Sequence, residues 1–463
     1  MTHVDSVILG SGPGGHTAAI RAAQLGLKVA IVERRSWGGA GLNAGGAVLT
    51  SLLRQAELVD TLRRRSGQFG IGGDLSFDYG AAFRRSREVA DRLSRGVDLL
   101  LRKNKIAQFD GDASFLDART VLVTAADATT ETLTFDHCVI AVGASQKPWA
   151  NVKLEGRVVG YRNQLMADRL PGSIVIGGAG AHGVEFAYLL AGYGVGVTLV
   201  ERQDRLLPSE DAEVSAEIAK ACRARGIKTM TGTTVTAVSQ DQSGAHVTAS
   251  ASGREVTVAA DRVLVAAGFS PRTQGYGLER AGVALTEAGA IAVDEAMRTN
   301  VDGLYAVGDV TGRAMSAQTA AAQAMVAAET MAGRPTWPID YDMMPRVVFG
   351  SPQVAAFGYT ADQARQRGYD PVVAKYPLTA SGAAWSWDQP VGFVKIVADA
   401  KHHELLGAHL VGAEVAELLP ELTLAKMWDL TADEIARNFH AHPTLSEAIE
   451  QACQGVSGPM IGF

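Results

Sequence analysis

The chain has 463 residues, too many for a single hydrophobic core, so we expect about two to four domains. Hydrophobic residues make up 47% and charged residues 20%, as in ordinary globular proteins, and the net charge of −6 gives no reason to expect nucleic acid or an anionic membrane as a partner. No apolar run has transmembrane length and no signal-like segment precedes Val7, so the predicted location is the cytoplasm.

The first 33 residues contain a pattern typical of dinucleotide binding. An apolar run at residues 4–9 predicts a buried parallel strand, and residues 17–25 predict a helix. Between them lies a G-x-G-x-x-G motif formed by Gly10, Gly12 and Gly15. Glycines let the backbone approach a pyrophosphate, the helix N-terminus attracts it, and Glu33 is spaced to accept ribose hydroxyl hydrogens.

The next segment, "GGAGLNAGGAVLTSLL" (38–53), joins a glycine-dense loop to an apolar, helix-like run. Small residues occupy the positions at which a side chain could take part in chemistry. The segment raises the question of which reaction uses a surface with so few functional groups.

The whole dinucleotide pattern repeats 168 residues further along the chain. The second motif is formed by Gly178, Gly180 and Gly183. At the same offset Gly26 corresponds to Gly194, Val29 to Val197, Glu33 to Glu201 and Arg34 to Arg202. A single motif of this kind could be a tight strand–helix turn that binds no ligand. Two motifs in register disfavour that interpretation, so two nucleotide-binding units are predicted.

Two further segments also resemble each other. "DHCVIAVGAS" (136–145) and "DRVLVAAGFS" (261–270) are apolar strands that begin with an aspartate and end in a small-Gly-small sequence, at Gly143 and Gly268. Each would close one nucleotide-binding unit. Two dinucleotides bound in one chain imply electron transfer between a resident flavin and an exchanging nicotinamide.

The second unit also bears on the choice between NADH and NADPH. Glu201 favours NADH, because a carboxylate would repel a 2′-phosphate. Arg202 and Arg205 leave NADPH open, since they could either bind that phosphate or simply be solvated.

The chain resembles the flavin-dependent pyridine-nucleotide disulfide oxidoreductases, in particular the dihydrolipoamide dehydrogenase and mercuric reductase branch. The resemblance is carried by "LYAVGDV" (304–310), "MSAQTA" (315–320), "SPQVAAFGYT" (351–360), "GFVKIVAD" (392–399) and "HAHPTLSEAI" (440–449). It implies that Asp309 holds the ribityl chain of FAD and that the backbone at Ala317 faces the flavin ring.

This resemblance implies an α/β fold with two Rossmann-like dinucleotide-binding domains, for FAD and NAD(P)H, and a C-terminal α+β dimerisation domain. The expected FAD-binding domain is discontinuous, at residues 1–146 and 269–340. The expected NAD(P)-binding domain spans residues 147–268, and the expected dimerisation domain spans residues 341–463. A homodimer is implied, and neither a nucleic acid nor a membrane partner is expected.

The chain departs from the family at its redox centre. The family carries a C-x-x-x-x-C pair followed four residues later by lysine, and the matching positions hold Gly41, Gly46 and Thr50. Val48 replaces the proline of the pattern. We therefore predict that the chain lacks the redox disulfide, which excludes the usual thiol–disulfide exchange and removes the soft ligands needed for mercuric ion.

The three cysteines, Cys138, Cys222 and Cys453, are far apart and form no CxxC or metal-ligand spacing. They are predicted to be buried, inert thiols, and no metal site is predicted. The glycines at positions 41 and 46 would then leave a substrate cavity beside the flavin, because interior helix glycines cost about 1 kcal/mol each and imply a use for the space. The alternative is that they merely pack.

The resemblance also assigns acid–base and cofactor-binding roles. His442 and Glu447 match the family's catalytic histidine–glutamate pair, in which the imidazole serves the other subunit's active site. Glu185 matches the partner of the missing lysine. The other implied cofactor-binding residues are Gly39, Gly41, Thr50, Ala113 and Val235.

The predicted function is an FAD enzyme that exchanges electrons between NAD(P)H and a non-disulfide small molecule. A quinone-like or other conjugated acceptor is expected, with His442 as proton donor, and the reverse direction is open. The alternatives are a soluble pyridine-nucleotide transhydrogenase and, in another class, a non-catalytic flavoprotein scaffold or binding subunit. Trp385 and Trp387 suggest an aromatic wall for a planar acceptor or, alternatively, a dimer-interface or core contact.

Overall fold

Parallel strands build the N-terminal part of the chain in the computed structural model, which describes residues 2–147, 149 and 152–461. The elements are β1 (Thr2–Leu9), α1 (Pro13–Gln24), β2 (Val29–Glu33), α2 (Gly39–Asn43), α3 (Gly46–Arg65), α4 (Tyr79–Lys103), β3 (Ala107–Asp110), β4 (Asp112–Asp117), β5 (Thr120–Thr124), β6 (Thr130–Ile140) and β7 (Ala144–Gln146). The strand order is β3-β2-β1-β6-β5-β4, with β1, β2, β3 and β6 parallel. Val7, Ile8 and Ile31 are fully buried, as expected for a sheet covered on both faces.

A second parallel sheet follows. Its elements are β8 (Val158–Gly160), α5 (Tyr161–Leu165), β9 (Ser173–Gly177), α6 (Ala181–Gly192), β10 (Gly196–Val200), α7 (Ala212–Ala224), β11 (Lys228–Met230), β12 (Thr233–Gln240), β13 (Ala245–Ala251), β14 (Arg254–Ala260) and β15 (Arg262–Val265). The sheet has the order β11-β10-β9-β15-β8, and β12, β13 and β14 form a separate antiparallel sheet. Gly10 follows β1 and Gly178 follows β9, so the two glycine motifs follow strands of different sheets.

The chain then returns to the first sheet. The elements are β16 (Phe269–Pro271), β17 (Leu304–Ala306) and α8 (Ala317–Met331). β16 pairs antiparallel with β7, and β17 lies parallel to β6 in the first sheet. α8 packs against α1. The chain segments that precede and follow the second sheet in sequence therefore share one hydrophobic core, which includes Leu9, Cys138 and Leu304.

The C-terminal part is an antiparallel sheet covered by helices. Its elements are β18 (Arg346–Val348), β19 (Gln353–Gly358), α9 (Ala361–Gln366), β20 (Pro371–Pro377), α10 (Gly382–Ser386), β21 (Phe393–Asp399), β22 (Leu405–Gly412), α11 (Val415–Met427), α12 (Ala432–Ile435) and α13 (Glu447–Ser457). The strand order is β18-β19-β22-β21-β20. Two Rossmann-like units followed by an α+β unit confirm the predicted fold class.

Helices α3 and α6 join the two nucleotide-binding units. Val48 and Leu52 of α3 belong to the same buried cluster as Phe186 and Leu190 of α6. This contact fixes the segment that follows the "GGAGLNAGG" loop against the helix that begins at the second glycine motif. The position of α3 is therefore determined by both units.

The cysteines agree with their prediction. Cys138 of β6, Cys222 of α7 and Cys453 of α13 are buried and form no disulfide. Burial raises the pKa of Cys222 to about 11, so its thiol is protonated at neutral pH. Within the described part of the chain, no helix is long and apolar enough to cross a membrane.

A buried ion pair joins the second unit to the C-terminal sheet. Lys395 of β21 lies 2.9 Å from Asp211, which caps α7 by accepting a hydrogen bond from the Glu213 N–H group. Both side chains are less than a tenth exposed. Burial tends to raise the pKa of Asp211, but the hydrogen bonds from Lys395 and Glu213 outweigh it and lower that pKa.

We expect Lys395→Met to destabilise the protein by about 3–5 kcal/mol, because it leaves the Asp211 carboxylate buried without a cation. Thermal unfolding of the FAD-loaded enzyme measures the loss. Lys375→Met is the matched control, since Lys375 pairs with Glu213 at 2.8 Å but is half-exposed, and it should cost no more than about 1 kcal/mol. Equal losses in the two variants would contradict this account.

Candidate functional site

The two glycine motifs have the same backbone geometry. Gly10 has φ +97° and Gly178 has φ +107°, a region that favours glycine. A Cβ atom on Gly15 would lie 1.8 Å from the Gly10 carbonyl oxygen, and one on Gly183 would lie 1.9 Å from that of Gly178. The first and third glycines of each motif are therefore required by the close packing of helix on strand.

The middle glycines face open space. A Cβ atom on Gly12 or Gly180 would meet no heavy atom within 4 Å. Gly12 directly precedes α1 and Gly180 directly precedes α6, so each glycine lies where the unpaired N–H groups of a helix begin. This arrangement suits the pyrophosphate of a dinucleotide in both units.

Glu33 stabilises the first loop at the end of β2. Its carboxylate accepts hydrogen bonds from the N–H group of Ser11 at 2.9 Å, the Ser11 hydroxyl at 2.7 Å and the Arg35 N–H group at 2.9 Å. The Ser11 hydroxyl also accepts from the Gly38 N–H group at 3.0 Å. Ser11 was not singled out by the sequence, although it lies inside the motif, and it connects the motif to the loop before α2.

Glu201 does the same in the second unit. Its carboxylate accepts hydrogen bonds from the N–H groups of Ala179 at 2.7 Å and Gln203 at 2.8 Å. Arg202 is exposed and forms no ion pair among the described residues, whereas Arg205 donates to the Pro208 carbonyl at 3.1 Å. The carboxylate thus lies at the strand end where a ribose is expected, and Arg205 is partly engaged elsewhere.

Gly143 and Gly268 follow the strands that close the two units. They have φ +74° and +91°, and a Cβ atom on either would meet nothing within 4 Å. Gly143 precedes β7 and Gly268 precedes β16, the two strands that pair with each other. The ends of the two units are therefore adjacent in space.

Asp309 and Ala317 lie where the chain returns to the first sheet. Asp309 is in a 3₁₀ turn, Gly308–Thr311, and its carboxylate accepts no hydrogen bond within the described part of the chain. Burial raises the pKa of Asp309, and Arg272 partly opposes the shift. Ala317 is exposed at the first turn of α8, which Ser316 caps. A carboxylate that receives no hydrogen bond from the protein can accept hydrogen bonds from a ligand with several hydroxyl groups, such as the ribityl chain.

Ala113 and Val235 lie outside the loops described above. Ala113 is a buried residue of β4 and faces Val123 across the strand pair. Val235 lies in β12 opposite Ala249, at the point where the register of that pair shifts. Their contribution to cofactor binding rests on the resemblance alone.

The glycines of the loop before α3 are of two kinds. Gly39 has φ +66°, and its Cβ atom would lie 2.6 Å from the Gly12 Cα atom, so it is required by the packing against the first motif. A Cβ atom on Gly41 would make ordinary contact with Pro13 at 3.4 Å, and one on Gly46 would meet nothing within 4 Å. Side chains fit at positions 41 and 46.

The prediction that both of these glycines carry an interior-helix penalty is wrong for Gly46. Gly46 is the first residue of α3, where glycine costs far less than in a helix interior. Thr50, one turn further on, lines a cavity of about 270 Å³ together with Tyr188 and Phe349. Gly41 and Gly46 do not line that cavity.

His442 and Glu447 form a hydrogen-bonded pair. The His442 Nδ1 atom lies 2.8 Å from the Glu447 carboxylate, which also accepts from the Thr444 N–H group at 2.8 Å. Burial tends to raise the pKa of Glu447, but these two hydrogen bonds outweigh it and leave that pKa lowered. Glu447 is thus an anion that orients the imidazole.

The imidazole of His442 points away from the rest of its own chain. Its side chain is 80% exposed, and within the described residues it contacts none of the glycine loops. Phe439, three residues earlier, is almost fully exposed, whereas His440 is buried against Glu421 and Glu450. Within one described chain, His442 therefore lies apart from the glycine loops at which the cofactors are expected.

The two tryptophans are on the surface of the chain. Trp385 of α10 and Trp387 are both more than half exposed, and the Trp385 indole N–H group donates to the Thr379 carbonyl at 2.8 Å. The core contact considered for them is therefore wrong, because they pack against no hydrophobic cluster.

The chain matches known families over most of its length. Residues 4–324 match "Pyridine nucleotide-disulphide oxidoreductase", and residues 344–453 match the dimerisation domain of the same family. The second match supports a homodimer.

Full-length relatives carry one name. The chain is 52% identical to "Dihydrolipoyl dehydrogenase" of Mycobacterium tuberculosis and 49% identical to that of Corynebacterium glutamicum, with at least 99% of each chain covered. Among solved structures, LpdA of Mycobacterium tuberculosis has a TM-score of 0.90 at 27% identity, covering 98% of this chain and 99% of LpdA. The HOCl-induced flavoprotein disulfide reductase RclA of Escherichia coli has a TM-score of 0.87 at 26% identity, covering 97% and 99%.

These relatives contradict the predicted function. A quinone-like, non-disulfide acceptor does not agree with half-identical, full-length relatives named for dihydrolipoyl dehydrogenation. The prediction inferred a new acceptor from the glycines at positions 41 and 46, but missing side chains constrain the route of electrons and not the identity of the substrate. The transhydrogenase alternative has no support among these names, and membership of an enzyme family contradicts the scaffold alternative.

The family indicated by these relatives agrees with the described geometry of the site. Two pyrophosphate loops, two carboxylates at strand ends and an exposed histidine–glutamate pair are the parts of an FAD-dependent oxidoreductase that uses NAD(H) and acts as a dimer. The chain is an enzyme of this class and belongs to the pyridine nucleotide-disulphide oxidoreductase family.

Proposed function

We propose that the enzyme transfers two electrons between NAD(H) and a dithiol–disulfide substrate of the dihydrolipoamide class. The observation that carries the proposal is the His442–Glu447 pair, held at 2.8 Å in a chain half-identical to dihydrolipoyl dehydrogenases over its full length. A thiol must lose a proton before its sulfur can donate electrons, and an oriented imidazole removes that proton near neutral pH.

We assign the cofactors to the three parts of the chain described above. Residues 1–146 and 269–340 would hold FAD, through the loop at Gly12, Glu33, Asp309 and the α8 N-terminus. Residues 147–268 would hold NAD(H), through Gly180 and Glu201, and residues 341–463 would form the dimer. The return of β17 to the sheet of β6 supports this division.

The reaction balances without any other reactant. Two S–H bonds of the dithiol break and one S–S bond forms, and NAD⁺ receives two electrons and one proton, so one proton is released. FAD supplies two-electron transfer between the substrates when bound. His442 of a partner subunit would take a thiol proton, and the Glu447 carboxylate bound to the same imidazole would stabilise the resulting imidazolium.

We also propose that no cysteine pair of the chain takes part. Residues 34–65 contain no cysteine, and the three cysteines present are buried in β6, α7 and α13. The substrate's own sulfurs would then react at the flavin in the space that Gly41 and Gly46 leave open. Because that route lacks the thiol relay, it should be slower than in a chain that has one.

The holoenzyme should form NADH from dihydrolipoamide and NAD⁺, and Gly41→Cys/Gly46→Cys should form it faster, since both backbones accept a side chain. Gly41→Ser/Gly46→Ser is the matched control, with the same bulk and no thiol, and it should not gain. As a check on the wild type, NADH should reduce its bound FAD normally. If that enzyme then forms no NADH at any concentration of dihydrolipoamide, while the cysteine variant does, the proposal is wrong.

His442→Ala should slow dihydrolipoamide oxidation on the order of 10²-fold or more, because the proton acceptor is lost. NADH-driven reduction of ferricyanide should stay nearly unchanged, since it needs no thiol proton. His402→Ala, an exposed histidine outside the site, should change neither rate. Equal slowing of both reactions by His442→Ala would mean that His442 is structural.

Glu201→Ala should weaken NADH binding by roughly tenfold and weaken NADPH binding less, because it removes a ribose acceptor and a charge that repels a 2′-phosphate. Titration of both cofactors measures the effect. Asp204→Ala, which removes an exposed carboxylate nearby, should leave the ratio of affinities unchanged. Tighter NADPH than NADH binding in the wild type would refute the role of Glu201.

A further inference from the structure

Glu185 is an acidic residue buried between the two nucleotide-binding units. It lies on α6, the helix that packs against α3, two residues after Gly183, and its carboxyl group reaches the segment between β18 and β19. Glu185 is 5% exposed, and its one hydrogen bond comes from the Phe349 N–H group at 2.9 Å. Among the described residues, no lysine, arginine or histidine forms an ion pair with it.

The surroundings of Glu185 supply no free positive charge. β9 and β10 carry no charged residue. The titratable or charged groups around this part of α6 are Tyr161 of α5, His182 and Tyr188 of α6 itself, Arg346 of β18, and, beside the cavity that Phe349 lines, Arg54, Glu57, Asp60, Arg225, Glu414 and Glu417. Arg225 is paired with Asp60 at 3.4 Å. Arg54 is paired with Glu57 at 2.7 Å, and Arg346 is paired with Glu210 at 3.1 Å. Burial lowers the pKa of His182 to about 4, so it is neutral.

These conditions disfavour the charged form of Glu185. Burial raises its pKa to about 7, and the Phe349 hydrogen bond only partly opposes the shift. The carboxyl group therefore exchanges its proton near neutral pH. The position aligned with the family's lysine holds Thr50, which lines the same cavity as Phe349.

The location of Glu185 relates it to the nicotinamide. α6 begins at the loop proposed for the NAD(H) pyrophosphate, and α3 follows the loop that packs against the FAD motif. If the two loops hold the cofactors as proposed, the packed pair of helices α3 and α6 joins the two binding sites, and Glu185 is buried at that junction. NAD⁺ differs from NADH by a positive charge on its ring, and a charge in a buried region acts strongly on a nearby acid.

We propose that Glu185 is a proton-exchanging positioning residue for NAD(H). Below neutral pH it is mostly protonated in the free enzyme and with NADH, and it releases its proton to solvent when the cationic ring of NAD⁺ binds. The enzyme therefore binds NAD⁺ with release of a proton and binds NADH without it. This behaviour does not depend on the identity of the dithiol substrate.

Calorimetry of NAD⁺ and NADH binding to the FAD-loaded enzyme tests the proposal, in buffers of different ionisation enthalpy from about pH 6 to about pH 8. We expect NAD⁺ to release a large fraction of a proton below neutrality and to bind several-fold more tightly as the pH rises, whereas NADH should do neither. Glu185→Gln should abolish the proton release. Equal release by Glu185→Gln and the wild type, or none by the wild type, would overturn the proposal.

Thr50→Lys supplies a second, independent variant. Phe349 lines the cavity and donates its N–H group to Glu185, so an unpaired cation placed there by Thr50→Lys should ionise Glu185 in advance. NAD⁺ binding should then release no proton, and its affinity should not vary with pH. Thr50→Met, with a neutral side chain of similar length, should retain the wild-type proton release. Proton release that is unchanged in Thr50→Lys would contradict the assignment to Glu185.

Thermal unfolding gives a readout that needs no nicotinamide. Because the folded-state pKa of Glu185 is raised, its contribution to stability is present below the ordinary pKa and is lost as the pH rises to about 7. Relative to Glu185→Gln, the wild type should lose melting temperature over that range. If the difference in melting temperature between the wild type and Glu185→Gln does not change from about pH 5 to about pH 8, Glu185 is not protonated in the folded protein.

Discussion

The close contact between the third and first glycines of each motif is the constraint on which the rest of the structure depends. The helix can begin against the strand only because Gly15 and Gly183 lack a side chain, since a Cβ atom would lie within 2 Å of a carbonyl oxygen. That contact directs the N-termini of α1 and α6 at the places where two pyrophosphates are expected. It also brings α6 against α3, so the positions of Thr50 and Glu185 follow from the same packing.

Three buried glutamates of the nucleotide-binding units are of two kinds. Glu33 and Glu201 accept backbone N–H groups and hold the loops in shape, and such donors make a buried anion tolerable. Glu185 has one donor and no cation, so burial keeps it largely neutral. The same type of side chain therefore accepts loop N–H groups at the strand ends, whereas between the units it is the group for which we propose proton exchange.

The repeat of the glycine motif was sufficient to predict two nucleotide-binding units, because strand, loop and helix recur in register and each position has a steric reason. The C-terminal unit of the fold class was predicted only through the family resemblance. The sequence could not show that Ser11 connects the motif to Gly38, nor that Glu185 is without a cation, because both depend on contacts between distant segments. The acceptor was predicted wrongly from Gly41 and Gly46. An absent side chain leaves several chemistries open, and only the retained His442–Glu447 pair indicates which proton must move.

Under the proposed function, a dithiol delivers its electrons to FAD without a cysteine pair of the chain. An anaerobic titration of the holoenzyme with dihydrolipoamide, without NAD⁺, tests it most directly by following the flavin absorbance. The account predicts complete loss of the oxidised flavin absorbance with one equivalent of dithiol per subunit, and subsequent NAD⁺ should restore it. Flavin that stays oxidised with excess dihydrolipoamide, yet is reduced at once by NADH, would contradict the account.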